Sequence, residues 1–583
     1  MAANRNSVIR RRALVVLGGL AMGASLLVAR LVYLQVFQAG HLSALAEAQR
    51  TKTVDLSAVR GEIVDANGKE LAVSVDAYSV YAMPREAKDF DPKATAEKLA
   101  PVLGMKPADL EKQLQGQHFR WLKRKEPKAV RDQIRALKLA GVGLVRESRR
   151  VYPKGQLAAT LIGFVGVDNQ GLAGIEHAFD KVLRGPSQKM QVQVDAYGRE
   201  ILREGANDPV ATMLSDGNRV VLTIDENLQH IAERELNRAV KDADALRGAV
   251  MMMETATGNL KAFAINPTYD PNQFGKYDWG QLKNWAVTDV YEPGSTMKIF
   301  TVAGALERKR ITTNQTFYCP PYIKVDGRIV SDHDFPKGRD LTPFGILEES
   351  SNVGTAKIAF TMSTKEHREL IEKMGFGRLT GAGITGEAAG VLHKLPWRAI
   401  TQATISYGQG ISVTPLQILS AASAIGNGGV RMTPRLIDKV VTAKGEVLQE
   451  FPPKSQGQVL RPETAKEVMK MLETVVETGT GVAAQVPGYR LAGKTGTAQK
   501  IRDDGRGYSS EVVASFLGFF PSDKPRYVML TLLDRPRKTH WASLTAAPLF
   551  GRVAGETLRH MAVTPTEPLT KPKPKPKTTH ETL

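Results

Sequence analysis

Cysteine is almost absent from this chain, since Cys319 is the single one. One thiol excludes an internal disulfide and a metal site built from several thiolates. The ten histidines are scattered, and the nearest approach to a ligand cluster, Asp332-His333-Asp334, has no recognisable metal-ligand spacing. We therefore expect that segment to be an ordinary polar loop, and the sequence predicts neither a metal ion nor a cofactor.

Aromatic residues are also few, at 6% of the chain, whereas Lys and Arg outnumber Asp and Glu by 79 to 60 and give a formal charge of +19. Such an excess favours an anionic partner, such as a nucleic acid, a phospholipid surface or an acidic polymer. The chain has no zinc-finger spacing, no RNP-like aromatic strand and no concentrated basic helix. We therefore expect no nucleic-acid partner.

Long apolar runs are missing with one exception near the N-terminus. Residues 13–29 carry no charge, and the apolar character resumes after Arg30 through residues 31–37. That length is enough to cross a bilayer core of about 30 Å. The arginines that precede the run predict a cytoplasmic N-terminus and an extracytoplasmic remainder; they are Arg5, Arg10, Arg11 and Arg12. A cleaved signal peptide is the alternative, but its apolar core would be shorter and a small-residue cleavage site would follow it.

The segment 38–218 mixes short alternating stretches with charged helical ones, which indicates an α+β region. Residues 73–81 predict a half-buried strand, and residues 92–100 and 107–113 predict helices. Asn67-Gly68 marks a turn between two strands, because this pair accepts the positive φ angles of tight hairpins. No catalytic constellation is visible in this region.

A second pattern occupies residues 219–563, and it opens with a strand followed by a helix that Asp225 can cap. Strands are predicted near both ends of this region and helices between them, so distant segments should complete one sheet. The predicted strands are residues 219–224, 249–253, 490–494, 513–518 and 527–533. The tail, residues 564–583, contains alternating Lys and Pro and should be extended and disordered.

The first motif with chemistry is Ser295-Thr296-Met297-Lys298, which follows a Pro-Gly turn and begins an apolar helix. A spacing of three residues on a helix puts the serine and the lysine on one face, so the amine can reach the hydroxyl. Lysine can act as the base that activates the serine if burial and nearby cations depress its pKa. The motif predicts a nucleophile, Ser295, and its base, Lys298.

Ser350-Ser351-Asn352 is the second motif. The hydroxyl of Ser350 could relay a proton between Lys298 and a leaving amine, and the Asn352 amide could hydrogen-bond a substrate peptide group. Taken alone, this segment could also be a polar loop without a catalytic role.

The third motif, Lys494-Thr495-Gly496-Thr497, ends a predicted strand. Gly496 would let a substrate backbone lie against the strand, while Lys494, Thr495 and Thr497 would supply positive charge and hydroxyl donors to a terminal carboxylate. Backbone N–H groups of Ser295 and Thr497 would stabilise a tetrahedral oxyanion. Alone, the segment could be a solvated edge strand.

Together, in this order, the three motifs resemble the S-x-x-K, S-x-N and K-T-G motifs of the penicillin-binding proteins and serine β-lactamases, without departure. The resemblance extends to residues 407–417 and 546–550. It implies an α+β transpeptidase domain, in which a sheet is flanked by helices as in serine β-lactamases, over residues 219–563.

The segment 38–218 resembles the non-catalytic pedestal of class B penicillin-binding proteins. The resemblance implies an elongated α+β pedestal with arginine and glutamate paired at its core. Ala66 departs from the pattern, because the family often has arginine there. The residues that carry the resemblance are Arg60-Gly61, Asp65, Gly68, Arg150-Val151-Tyr152-Pro153 and Gly171-Leu172-Ala173-Gly174-Ile175-Glu176.

The chain is most similar to the division-specific members of this class. That similarity implies a D,D-transpeptidase that cross-links peptidoglycan stem peptides during septum formation through a serine acyl-enzyme and is acylated by β-lactams. It implies a single-pass inner-membrane protein with a periplasmic catalytic domain at the septum. The implied partners are the membrane-embedded glycan polymerase of the divisome and other division proteins.

Several alternatives stand beside this hypothesis. The elongation-specific class B enzymes share every motif, and a penicillin-binding sensor or scaffold could keep the fold without turnover. A β-lactamase is usually smaller and lacks a pedestal. A bifunctional class A enzyme would need a glycosyltransferase domain before the transpeptidase domain.

Overall fold

The computed structural model describes residues 2–43, 51–56, 58–84, 90–116, 118–185, 188–193, 216–332, 337–502 and 507–568. The chain forms two compact units, one comprising Met1–Val59 with Arg184–Asp216 and the other Arg60–Leu183 with Gly217–Leu583. Most of the predicted tail, together with His333 and Asp334, lies outside the described residues, so those expectations stay predictions. The domain boundaries at residues 37, 218 and 563 stay predictions too.

In the first unit, the helix Ala2–Val32 continues as a π-helical turn, Tyr33–Phe37. Within it, Ile9–Phe37 has a mean hydropathy of 2.0 and is the one stretch of the described chain that is long and apolar enough to cross a membrane. At about 1.5 Å per residue, 29 residues extend over roughly 43 Å, more than a hydrocarbon core requires. The unit also contains an antiparallel strand pair, Thr51–Leu56 with Gln188–Gln193.

The N-terminal part of the second unit is α+β, as predicted. The predicted turn at Asn67-Gly68 joins two paired strands, and Gly68 has a φ of +81° there. The strands of this part are Ile63–Val64, Glu70–Ala82, Arg120–Glu126, Val142–Val151 and Arg219–Leu222. Its helices are Pro92–Leu103, Pro107–Leu114, Lys128–Leu137, Ala159–Ile162, Gly174–Ala178 and Asp180–Arg184.

A buried ion-pair cluster lies at the centre of this part. Glu176 accepts hydrogen bonds from Nε of Arg60 and Nε of Arg150, both at 2.6 Å, and all three side chains are almost fully excluded from solvent. Tyr152 donates its hydroxyl to the same carboxylate at 3.3 Å. Removing one partner would leave a buried charge uncompensated, so the three residues are structurally interdependent. The expected arginine–glutamate pairing is therefore confirmed.

The strand Arg219–Leu222 lies in a different sheet from the one that the sequence predicts. It pairs in parallel with Ile63–Val64 and antiparallel with Ile437–Val441, within a seven-stranded sheet that joins the two parts of the unit. It does not belong to the central sheet of the C-terminal part, because hydrogen-bonding partners are set by tertiary contacts that the local sequence does not specify.

The central sheet has five antiparallel strands in the order Ala492–Ile501, Tyr508–Phe520, Tyr527–Asp534, Arg247–Glu254 and Leu260–Asn266. The predicted closure of one sheet by distant segments is thereby confirmed. The remaining strands are Phe317–Cys319, Tyr322–Val325, Arg328–Ser331, Arg339–Leu341, Val430–Met432, Ile437–Val441, Val447–Glu450 and Ser455–Gln458.

Helices cover both faces of the central sheet, which explains why its inner strands Tyr527–Asp534 and Arg247–Glu254 are largely apolar. Met251 packs into the core that contains Ile299 of the helix Met297–Glu307, whereas Met252 packs into the core beneath Glu226–Ala243 and Ala546–His560. The other helices are Trp279–Leu282, Trp285–Thr288, Pro343–Glu348, Asn352–Phe360, Thr364–Lys373, Ala399–Ser406, Pro415–Gly426 and Pro462–Glu477. Short 3-10 helices cover Pro271–Lys276, Gly294–Thr296 and Val482–Ala484.

Candidate active site

Ser295 lies in the 3-10 turn Gly294–Thr296, which leads directly into the helix Met297–Glu307. Gly294 has a φ of +55°, and its N–H donates to the carbonyl of Gly408 at 3.1 Å. The hydroxyl of Thr296 donates to the carbonyl of Pro293 at 2.8 Å. These backbone contacts hold the serine at the start of the helix, as the sequence predicts.

Lys298 is fully buried and donates hydrogen bonds to the carbonyl oxygen and the hydroxyl of Ser350, the latter at 3.2 Å. Burial lowers the pKa of Lys298 to about 7, partly opposed by the carboxylate of Asp332. A substantial fraction of neutral amine is therefore available near neutral pH, which is what a general base requires. The structure brings Lys298 and Ser350 together, and the hydrogen bonds of the amine run to Ser350.

Ser350 has a φ of +61°, an uncommon backbone conformation for a residue with a side chain. The residue after it, Ser351, caps the helix Asn352–Phe360 by accepting a hydrogen bond from Gly354 N at 2.8 Å. The turn thus directs the Ser350 hydroxyl toward Lys298 just before the helix begins.

Asp332 organises the start of that helix, a role that the sequence did not reveal. Its carboxylate accepts hydrogen bonds from the Ser351 hydroxyl and from the backbone N–H groups of Asn352 and Val353, the last at 3.0 Å. An anion at a helix N-terminus satisfies groups that have no partner within the helix. Asp332 lies in a loop, as expected, and its carboxylate in addition caps this helix. No motif marks this residue, because its partners come from a segment about 20 residues away.

Asn352 donates one side-chain N–H to the carbonyl of Ser331 at 3.0 Å. This bond orients the amide and leaves its oxygen and a second N–H as possible contacts for a substrate peptide group.

Lys494 lies fully buried on the strand Ala492–Ile501, and its amine donates to the hydroxyl and the carbonyl of Thr495, both at 3.3 Å. Burial and, secondly, the neighbouring Lys298 hold the pKa of Lys494 well below its usual range. The Thr495 hydroxyl is also 2.8 Å from the hydroxyl of Thr480. The motif places a second amine next to Lys298 as well as hydroxyl groups along the strand.

Close neighbouring atoms require glycine at position 496. A Cβ at this position would lie 2.6 Å from the Ser515 hydroxyl and 3.0 Å from Pro293 O and Thr296 Cγ2. Only glycine lets the strand approach the turn Gly294–Thr296 this closely. The predicted contact with a substrate backbone is a separate role and stays a prediction.

Thr497 lies one residue further along the same edge strand, and its hydroxyl oxygen accepts a hydrogen bond from Ala542 N at 3.4 Å. Because the hydroxyl acts as the acceptor in this contact, the contact does not use its own proton.

Glu292, which sequence reasoning also missed, connects three parts of the site. Its Oε1 accepts hydrogen bonds from Gly410 N at 2.8 Å and from the Tyr508 hydroxyl at 3.3 Å. Burial raises the pKa of Glu292. The carboxylate thereby links the turn of Ser295 to a glycine-containing loop and to the strand beside Lys494.

Among the described residues, no group of three or more His, Cys, Asp or Glu side chains could hold a metal ion. What the fold and the site define is a serine acyltransferase: a serine at a helix start, a buried amine of lowered pKa and a hydroxyl-rich edge strand.

Comparisons with known proteins identify the family of serine acyltransferases to which the chain belongs. Residues 248–555 match the penicillin-binding protein transpeptidase domain, and residues 55–222 match the penicillin-binding protein dimerisation domain. The chain belongs to the class B penicillin-binding proteins and is a serine-type D-Ala-D-Ala transpeptidase. The similarity to this family, expected from the motifs, is confirmed.

Two relatives and one solved structure illustrate the match. Peptidoglycan D,D-transpeptidase FtsI of Escherichia coli K12 is 34% identical over 94% of this chain and 91% of its own length. Stage V sporulation protein D of Bacillus subtilis is 33% identical over 96% and 87%. Penicillin-binding protein 3 of Mycobacterium tuberculosis, in complex with aztreonam, superposes with a TM-score of 0.69 at 28% identity and covers 89% of this chain and 100% of that one. The apolar helix and the FtsI relatives together indicate a single-pass inner-membrane protein.

Proposed function

We propose that this protein cross-links peptidoglycan at the division septum, with Ser295 as the nucleophile and Lys298 as its base. The contact of the buried Lys298 amine with Ser350 supports these roles most directly, because it joins a base of pKa about 7 to a hydroxyl that can pass on a proton.

In the first step, Lys298 takes the hydroxyl proton of Ser295 while Oγ attacks the carbonyl between the two D-alanines of a donor stem peptide. Backbone N–H groups of Ser295 and Thr497 stabilise the oxyanion. The strand Ala492–Ile501 lies close to the turn Gly294–Thr296, since a Cβ on Gly294 would lie 3.2 Å from Thr497 O. This proximity supports an oxyanion site shared by the two segments.

The tetrahedral intermediate then breaks its C–N bond and releases the terminal D-alanine. The proton taken by Lys298 reaches the leaving amine through Ser350, which leaves an ester on Ser295. In the second step, the amine of an acceptor stem peptide attacks this ester, a new peptide bond forms, and Ser295 regains its proton. A β-lactam follows the first step only, so it stays attached to the serine.

The strand Ala492–Ile501 binds the donor peptide in this proposal. The terminal carboxylate of this peptide accepts hydrogen bonds from Thr495 and Thr497, and Lys494 is a nearby cation or donor. The peptide backbone runs past Gly496. Asn352 binds a peptide group on the opposite side.

In this proposal the chain consists of an anchor, a pedestal and a catalytic domain, at residues 1–37, 38–218 and 219–563, and the chemistry occurs in the periplasm at the outer face of the inner membrane. The apolar helix near the N-terminus supports this arrangement. The division proteins, including the membrane-embedded glycan polymerase, are the proposed partners. The similarity to FtsI supports septal synthesis, but the elongation-specific enzymes share the same motifs and remain the second candidate.

Two measurements test the proposal. A fluorescent penicillin should label the intact protein at the septum, and Ser295→Ala should abolish labelling while the fold survives. A covalent adduct on any other residue would refute the assignment of the nucleophile. Depletion should give long filaments, whereas round cells would show that the protein serves elongation.

A further inference from the structure

Three aromatic side chains lie together at one end of the sheet in the N-terminal part of the second unit. The strand Glu70–Ala82 lies there between Arg120–Glu126 and Val142–Val151, and helices cover one face of these three strands. The aromatic rings lie on the opposite face, since Tyr81 alternates with the core residues on either side of it. We call them the aromatic platform, and its members are Tyr81, Phe119 and Trp121.

The rings of the aromatic platform contact one another and rest on the sheet. The ring centroid of Phe119 lies 5.1 Å from that of Tyr81 and 5.0 Å from that of Trp121. The Tyr81 ring crosses the neighbouring strand, since a Cβ on Gly143 would lie 2.2 Å from Tyr81 Cζ. Phe119 and Trp121 are nevertheless 46% and 37% exposed. Single exposed apolar side chains are common, whereas a contiguous group of them is typical of a binding surface.

The aromatic platform lies within a strongly basic segment. Residues 119–150 contain eleven lysines and arginines against three aspartates and glutamates. Arg120 pairs with Ala82 in the sheet, and Val142, the other partner of Ala82, follows Lys138 by four residues. Both cations therefore lie at the same end of the sheet as the rings. They are exposed and have no ion-pair partner among the described residues.

This charge determines which partners fit the surface. An anionic partner is favoured, and a second copy of the same surface is disfavoured because two basic surfaces repel each other. A lipid layer would favour aromatic side chains that protrude from the protein, but these rings lie flat on the sheet. A flat aromatic surface beside cations instead suits a carbohydrate that carries carboxylates.

Polar groups beside the rings fit a carbohydrate as well. The guanidinium carbon of Arg124 lies 5.2 Å from the ring centroid of Trp121, and Arg124 donates to Glu147 at 2.7 Å. A sugar ring offers C–H groups to an aromatic ring and hydroxyl groups to neighbouring charged side chains. Peptidoglycan strands combine such amino-sugar rings with the carboxylates of their stem peptides.

We propose that the aromatic platform, together with Arg120 and Lys138, binds a peptidoglycan strand at a second, non-catalytic site. The rings pack against the amino sugars, and the two cations neutralise carboxylates of the stem peptides. The site retains the polymer near the enzyme while its peptides are cross-linked elsewhere. This inference rests on the proposed action on peptidoglycan, but it uses no residue of the candidate active site.

The test uses the full-length protein in detergent after acylation by penicillin, so that stem peptides cannot occupy the active site. Soluble, uncross-linked peptidoglycan strands with a fluorescent label should bind the acylated protein, as measured by fluorescence anisotropy. The absence of binding would overturn the proposal.

Three competitors identify which features of the strand are recognised. Chitohexaose has amino sugars without carboxylates, and poly-L-glutamate has carboxylates without sugars. Each should compete at least about tenfold more weakly than the unlabelled strand, because each lacks one of the two kinds of contact. Competition by either compound that equals that of the strand would contradict a carbohydrate site for anions. Equal competition by a short-chain phosphatidylglycerol would show a lipid-binding surface and overturn the proposal.

Trp121→Ala removes one ring of the platform, so affinity for the strand should fall about tenfold. The matched control is Trp279→Ala, because Trp279 is 76% exposed and lies outside the platform. Unchanged affinity in Trp121→Ala would contradict the proposal, as would an equal loss in the control. Phe119→Ala supplies the same test if Trp121→Ala fails to fold.

Arg120→Glu tests the role of charge. Affinity for the strand should fall, and the remaining binding should depend less on salt concentration, because one screened attraction is lost. Lys309→Glu is the control, since Lys309 is also exposed and without an ion-pair partner among the described residues but lies in another part of the unit. An equal loss in both variants would show that only net charge matters and would refute a defined site.

Penicillin labelling distinguishes a failure of this inference from a failure of the proposed function. All four platform and control variants with intact folds should be labelled like the wild-type protein, since none of them changes the candidate active site. Loss of strand binding with normal labelling concerns the platform alone. A wild-type protein that penicillin does not label at Ser295 would contradict the proposed function instead.

Discussion

Replacing Asp332 with Asn should slow acylation although Asp332 touches no reacting group. The carboxylate accepts three hydrogen bonds at the start of the helix Asn352–Phe360, one from the Ser351 hydroxyl and two from backbone N–H groups. Asn keeps one oxygen for the backbone donors, but it loses the negative charge and the contact with Ser351. The turn that presents Ser350 to Lys298 is then held less firmly.

The size of the effect follows from these contacts. One hydrogen bond to a charged group contributes about 1.5–3 kcal/mol, and a negative charge at a helix N-terminus about 0.3–1 kcal/mol. If half of that total is lost in the transition state for acylation, the barrier rises by about 1–2 kcal/mol. The second-order rate of acylation should then fall about five- to thirtyfold, since about 1.4 kcal/mol is one decade.

The pH profile gives a readout that a loss of stability alone would not produce. Asp332 favours the charged form of Lys298, so its removal should lower the pKa of Lys298 below the present value of about 7. Acylation depends on the neutral amine, and the acid limb of the rate profile should therefore move to lower pH. Rates of penicillin acylation measured by stopped flow between about pH 5 and 9 would show both changes.

Asp225→Asn is the matched control. Asp225 caps the helix Glu226–Ala243 by accepting from Asn227 N at 2.9 Å and Leu228 N at 3.2 Å, and it belongs to none of the catalytic motifs. This variant should lower the melting temperature without changing acylation. If Asp332→Asn acylated at the wild-type rate with an unshifted acid limb, the positioning role of Asp332 would have to be abandoned.

Three further predictions concern the base, the carboxylate contact and the membrane helix. Lys298→Ala should lose covalent penicillin labelling while keeping a wild-type melting profile, because Ser295 has no base; near-normal labelling would remove Lys298 from that role. Thr497→Val keeps the backbone N–H but removes a donor to an anion, about 1.5–3 kcal/mol, so acylation should fall about ten- to a hundredfold. An analogue without the carboxylate should be far less affected, and an equal loss for both compounds would contradict carboxylate recognition. Replacing residues 13–37 with an unrelated transmembrane helix should preserve penicillin binding but impair division, and full complementation would reduce the segment to a tether.

The sequence predicts those parts of the fold that depend on local pattern. The strand Tyr527–Asp534 and its neighbour Arg247–Glu254 are continuous apolar runs, because helices cover both faces of the sheet. The cap at Asp225 and the turn at Gly68 follow from single residues with strong local preferences. Arg219–Leu222 is recognisable as a strand, but its partners lie far away in the chain, and nothing local distinguishes one sheet from another.

The residues of the candidate site also divide into those that the sequence predicts and those that only the structure reveals. Ser295, Lys298, Ser350 and Lys494 belong to short motifs, and the structure brings Lys298 near Ser350 and Lys494. Asp332 and Glu292 act through backbone N–H groups and hydroxyls contributed by remote segments. Any sequence can offer a backbone N–H, so such contacts leave no residue pattern, and only the folded structure shows which carboxylates receive them.

Burial lowers the pKa of both lysines, so Lys298 needs no dedicated activating residue to lose its proton near neutral pH. Each loses the solvation that would stabilise its charge, and Lys298 in turn disfavours protonation of Lys494. Two ammonium groups at close range in a water-excluded site would repel strongly, so a proton on one lysine opposes a proton on the other. The negative charge of Asp332 partly opposes this effect of burial, which keeps the pKa of Lys298 near 7 instead of lower. In the proposed mechanism the amine can therefore accept the Ser295 proton and release it again through Ser350, because neither protonation state is strongly preferred at neutral pH.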